Sequence, residues 1–192
     1  MVGIDTTFLS LMLYPKARPL KDPSTKKPVE RMVERMVERM EDRIEKLLED
    51  LDSESERIIL PTPVLSEFLI LVGKDAPAHL ERLSGMKNIL IKPFDELAAI
   101  DLAAIELEDR SRGDKRSGSA SPWAKLRFDR QIVAILRTNG GKRMYSDDED
   151  VTKFATKLGI EVIRTWELPL PAAKQIKIEY EQNGGKGNLG EP

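Results

Sequence analysis

The chain is expected to be an α/β protein, a three-layer α/β/α fold around a central, mainly parallel sheet of four to five strands. Three observations lead there. Five short apolar runs, at 1–4, 57–60, 88–92, 143–146 and 160–163, have strand length and are bounded by turn or capping residues. Between them lie stretches with apolar residues at threefold and fourfold spacing, the pattern of amphipathic helices. Strands that alternate with helices need crossover connections, which make the strands parallel and cover both faces of the sheet. A length of 192 residues suits one such domain and is short for two.

Each element has its own reason. Met1 to Ile4 reads as a buried strand, and Asp5-Thr6-Thr7 opens a helix that carries Phe8, Leu9, Leu11 and Met12. Residues 14–28, rich in Pro and Lys, read as a loop. A helix without Gly or Pro follows from Val29 to Leu51; its ERMVERMVERM repeat sets Met32, Met36 and Met40 in one row beside Val33 and Val37. That face is expected to pack on the domain's own core, with a homodimer or partner surface as the competing use. After the strand Arg57 to Leu60 comes the apolar helix VLSEFLILV, and residues 76–86 form a helix with His79 expected on its solvated face. Asn88 to Lys92 is the third strand, 95–110 an Ala-rich helix, and 111–121 a Ser/Gly/Arg loop. The helix 123–138 is closed by Asn139-Gly140-Gly141. Arg143 to Ser146, Glu149 to Leu158 and Ile160 to Ile163 then form a strand, a helix and a strand. Residues 167–192 are read as an extension whose Gly-rich end is disordered.

Composition limits the chemistry. There is no Cys, which excludes disulfides, thiolate metal sites and cysteine nucleophiles, and fits a cytoplasmic location. One His leaves no histidine pair. MVGIDTTFLSLML lacks a basic leader and meets an Asp at position 5, so no signal peptide is expected, and no run approaches the length of a membrane span. Net charge is −2, so any footprint for a nucleic acid must be local. Catalysis at neutral pH would therefore fall to carboxylates and a bound metal.

Several carboxylates sit where such a site could form. On a helical period of about 100° per residue, Leu126, Ile132, Val133 and Leu136 all fall within about 60° of Asp129. An acid in that stripe must be metal-bound or paired, with Lys125 the nearest cation for pairing. Glu67 lies in a helix that is apolar in nearly every direction, flanked by Val64, Ile70 and Leu71, unless it occupies a solvated sliver beside Ser66. Asp5 and the Asp147-Asp148 pair follow strands, where ligands of parallel sheets bind, although each also suits a helix start. Together they form an all-oxygen set that suits Mg²⁺ or Mn²⁺.

IDTTFL, TPVLSEFL, KLRFDRQIVAI and MYSDDEDV, in that order, resemble the four acidic motifs of the PIN domain over residues 1–166. The resemblance implies a PIN fold with Asp5, Glu67, Asp129 and a fourth carboxylate as ligands of Mg²⁺ or Mn²⁺. The fourth motif frames Ser146 and Asp148, with Asp147 as the alternative ligand, and Thr6 and Ser146 match site-ordering hydroxyls. It also implies a ribonuclease, and many small members are VapC-type toxins neutralised by a cognate antitoxin. The long helix at 29–52 and the extended tail depart from the small-toxin pattern. Expected RNA contacts come from a basic segment that includes Arg112, Lys115, Arg116, Lys125 and Arg127. The competing readings are a PIN-like module that binds RNA or protein without cutting, and a metal-dependent nuclease for another nucleic acid.

Overall fold

The structure, a computed structural model, describes residues 1–14, 32–114, 116 and 119–171, and only the backbone of 32–39. Five strands form one sheet: β1 (Val2–Ile4), β2 (Ile58–Pro61), β3 (Ile89–Lys92), β4 (Arg143–Tyr145) and β5 (Glu161–Ile163). Their order is β3-β2-β1-β4-β5, and every neighbouring pair is parallel. β1 and β2 are buried along their whole length, as strands covered on both faces must be, and so they read as unbroken apolar runs.

Seven helices complete the described part: α1 (Thr6–Leu13), α2 (Met32–Ser53), α3 (Thr62–Val72), α4 (Ala76–Gly85), α5 (Glu96–Ser111), α6 (Trp123–Thr138) and α7 (Glu149–Lys157). The chain steps from β1 through β2 to β3, then returns past β1 to β4 and β5. Right-handed crossovers run in these two directions must put their helices on opposite faces. The main helix contacts agree: α1 lies against α2 and α3, and α6 lies against α5 and α7, with a smaller contact between α3 and α6. The result is the expected α/β/α sandwich.

Local chemistry sets the helix ends. Asp5 caps α1, Asp95 caps α5 and Asp148 caps α7, each accepting from backbone N–H groups of the first turn. The turn after α6 passes through Gly140, whose φ of 75° favours glycine, and Gly141 N donates to the Leu136 carbonyl at 2.9 Å. α6 also lies close over the central strand. A Cβ at Gly3 would stand 2.8 Å from both Leu136 methyls, so glycine there lets the helix seat against β1.

From Met40 onward the α2 face is core. Met40, Ile44, Leu47 and Leu51 are buried at fourfold and threefold spacing, and the helix packs on α1 and on a 3-10 turn at Thr165–Glu167. The side chains of Met32 and Met36, the loop at 15–28 and the residues from 172 onward lie outside the described residues. His79 differs from expectation. It is half-buried, edge-on to Tyr14 at 5.5 Å and to Phe68 at 5.3 Å, because α4 packs that side on α3. No helix among the described residues is long and apolar enough to cross a membrane.

Candidate metal centre

The strand order reverses between β1 and β4, and a crevice is expected there at the carboxyl edge. Ile4 pairs with Tyr145, so the next residues, Asp5 and Ser146, meet across that edge. Both are buried, and Ser146 Oγ donates to Asp5 Oδ2 at 2.5 Å. The other oxygen, Oδ1, accepts from Phe8 N at 2.7 Å and caps α1. Burial pushes the Asp5 carboxyl up to about 7, with the charges of Asp147 and Asp148 adding to the rise and the two hydrogen bonds opposing it.

Helices in such a fold run antiparallel to the strands they precede, so the first half of α6 reaches the same edge. Asp129 projects there from the buried stripe of Leu126, Ile132, Val133 and Leu136, as helix spacing predicts. It is 8% exposed, and burial pushes its carboxyl up to about 6, against the lowering effect of Lys125. The Lys125 ammonium reaches Asp129 Oδ2 at 2.7 Å, Asp148 Oδ2 at 2.9 Å and Asp150 Oδ2 at 3.3 Å. Burial alone would lower that ammonium, but the hydrogen bonds to Asp129 and Asp148 overcome it and hold the group charged.

The Asp148 carboxylate has two duties. Its Oδ1 caps α7 by accepting from Asp150 N at 2.8 Å and Val151 N at 3.1 Å, which leaves Oδ2 for the cluster. Its backbone N donates to Ser146 Oγ at 3.1 Å, so one hydroxyl links Asp5 to the Asp148 turn. Ser121 Oγ donates to the same Asp150 Oδ2 at 2.5 Å. Asp150 stays below the usual carboxylate range: burial would raise it, but hydrogen bonds from Ser119, Ser121 and Lys125 outweigh that. Beside this cluster is a recess lined by Arg116, Leu126, Arg130 and Phe154. The Arg130 guanidinium is buried there, 5.3 Å over Trp123 and 5.0 Å over Phe154, and 3.5 Å from Glu106.

The other expected site residues separate into three groups. Glu67 is exposed on α3, on the side that also exposes Ile70 and Leu71, so the solvated reading is the one observed. It still turns to the edge, where Thr6 Oγ1 donates to Glu67 Oε2 at 2.5 Å. Asp147 faces away from the cluster: its carboxylate accepts from Thr165 N at 2.8 Å and Thr165 Oγ1 at 2.7 Å, tying β4 to the turn after β5. Of the basic segment, Lys115 lies outside the described residues, Arg127 is exposed, Arg112 pairs with Glu108 at 2.6 Å, and Arg116 donates to the Ser121 carbonyl at 3.4 Å. Lys125 faces the carboxylates.

Asp129, Asp148 and Asp150 therefore come together, with ligand oxygens within 4.8 Å of one another. Outside that triad, Asp5 is linked to the Asp148 turn through Ser146 Oγ, and Glu67 is bonded to Thr6. Asp150 was absent from the expected set, because an acid in the first turn of a helix is ordinary dipole complementation; its i+2 spacing from Asp148 was the available signal. The triad fits a hard divalent cation. Its donors are all carboxylate oxygens, and their span is one that metal–oxygen bonds of about 2.1–2.5 Å can bridge. No protein-family model matches the chain, and no curated protein matches it.

Proposed function

We propose that the chain is a divalent-metal-dependent nuclease that hydrolyses RNA phosphodiesters at the carboxyl edge between β1 and β4. The observation that carries this reading is the meeting of Asp129, Asp148 and Asp150 beside Asp5, at the reversal of strand order. Like-charged carboxylates held at that distance in a partly buried edge call for a cation. RNA as the substrate rests on the PIN-like order of the sequence motifs.

Asp129, Asp148 and Asp150 would hold Mg²⁺ or Mn²⁺. The chemistry such an ion supplies when bound is polarisation of the phosphoryl group and activation of water near neutral pH. The chain's own groups do the positioning. α7 and the Ser146 hydroxyl fix the Asp148 turn, the buried stripe of α6 fixes Asp129, and Ser121 fixes Asp150. Arg116, which lines the recess beside the cluster, would supply positive charge for the phosphate backbone, whereas Arg127, two residues before Asp129, is exposed on the other side of α6.

The test is cleavage of end-labelled single-stranded RNA and DNA by purified full-length chain. RNA should be cut with Mn²⁺ or Mg²⁺ present and spared in EDTA, and Asp129→Asn should cut at least about 100-fold more slowly. Cleavage that persists in EDTA overturns the reading. A second reading has its own observation: Lys125 already neutralises part of the triad, as in a structural ion network. A chain that binds RNA, cuts nothing and ignores Mn²⁺ would be such a binding module.

A further inference from the structure

We propose that Lys125 is a built-in competitor for the metal, its ammonium and a divalent cation being alternative occupants of the same three carboxylates. The inference rests on the metal-dependent reading above and adds how that site is held before the ion arrives.

Three features carry it. The ammonium bonds one oxygen of each carboxylate in the triad, at 2.7, 2.9 and 3.3 Å, which is the seat a bridging cation would take. Two cations cannot share it, since oxygens confined within 4.8 Å leave a second charge in contact with the first. Lys125 also has a way out. It stands four residues before Asp129 on α6, which fixes the base of its stem, and its side chain is 41% exposed, so the head can swing into water.

Charge gives the exchange its direction. Three carboxylates carry −3; the ammonium leaves −2 and a divalent ion leaves −1, so the ion is the better complement. The lysine is a fallback that keeps Asp129, Asp148 and Asp150 partnered in the metal-free chain. Binding must displace it, which makes the site weaker for metal than its carboxylates alone would be.

The experiment titrates Mn²⁺ into metal-stripped full-length chain by calorimetry, without RNA, so that affinity is read independently of cleavage. Lys125→Met should bind Mn²⁺ about tenfold more tightly than the parent, the weight of a charged hydrogen bond removed from the competitor. Lys125→Arg keeps the charge and should stay within about threefold of the parent. Lys153→Met removes a charge that lines the same recess as Asp129 and Asp150 but pairs with Glu149, and should also stay within about threefold. If Lys125→Met does not fold without metal, Lys125→Gln takes its place, read by the Mn²⁺-dependent rise in melting temperature. Equal affinity in Lys125→Met and parent, or an equal gain in Lys153→Met or Lys125→Arg, overturns the competitor and leaves the metal site standing. No binding by parent or Lys125→Met at millimolar Mn²⁺ overturns both.

Discussion

Asp129 of α6 and Asp109 of α5 each occupy a place that helix spacing assigns to apolar side chains. Asp129 lies among Leu126, Ile132 and Val133, and Asp109 continues the row of Ala98, Leu102 and Ile105. Asp109 is the more deeply buried, at 2% exposed. It pairs with Lys157 of α7, and its second oxygen is buried without a hydrogen-bond partner. Asp129 shares one lysine with two further carboxylates. Burial alone thus does not separate a clamp from a candidate site. The ratio of acids to cations does: one to one between α5 and α7, three to one at the sheet edge.

That comparison can be broken most directly at Asp109. Asp109→Asn removes a charged hydrogen bond to Lys157, whose side chain is 30% exposed, and should cost about 2 kcal/mol in urea denaturation, with the response to Mn²⁺ unchanged. A variant as stable as the parent would mean that the two aspartates are not opposites.

The acid edge should also respond to pH in the opposite sense from a paired acid. In the folded chain Asp5 keeps its proton up to about 7, against 3.8 as the ordinary value. Between those two values the folded state binds the proton that the unfolded state has lost. The associated stability is therefore full below pH 4 and is lost as pH rises through 7. In EDTA, the decline should be on the order of 2 kcal/mol larger in the parent than in Asp5→Asn. Parallel curves for the two proteins would remove the charge strain assigned to this edge.

Asp129→Asn sharpens the contrast at smaller cost. Lys125 keeps two carboxylates after the change, so in EDTA the variant should melt as high as the parent or gain about 1 kcal/mol. If the triad holds Mn²⁺ as proposed, the variant should also lose most of the stabilisation that the ion would give the parent. A clear loss of stability in EDTA would make Asp129 a clamp like Asp109. The smallest effect belongs to Arg112, paired with Glu108 where both side chains are largely exposed. Arg112→Gln should change stability by less than about 0.5 kcal/mol, the baseline for a solvated pair, as chemical denaturation can check.

Much of this architecture is legible in residue spacing. The strands follow from short apolar runs, and α6 from one uninterrupted amphipathic pattern that also marks Asp129. Glu67 was not legible in the same way, because α3 is apolar on nearly all sides and supplies no phase; Ile70 is 78% exposed. Asp147 and Asp148 are adjacent, and only the Thr165 backbone and hydroxyl decide that Asp147 turns away. The role of Lys125 was ambiguous for a related reason. An i, i+4 spacing predicts its contact with Asp129, but the two further carboxylates come from α7, across the fold. The same arithmetic that singles out Asp129 also fits Asp109, and a chain read by period alone would count both.

The pairing of β1 with β4 has a consequence for how the protein comes into being. Asp5 leaves the ribosome 141 residues ahead of Ser146, which orders its carboxylate. β1 gains its β4 neighbour only after β2 and β3 have been made. Long-range pairing of this kind comes late because the intervening chain must first be closed. The acid edge is therefore incomplete on every nascent chain that stops short of α7. If the edge cuts RNA, a ribosome-bound fragment carries no finished blade against the message that encodes it.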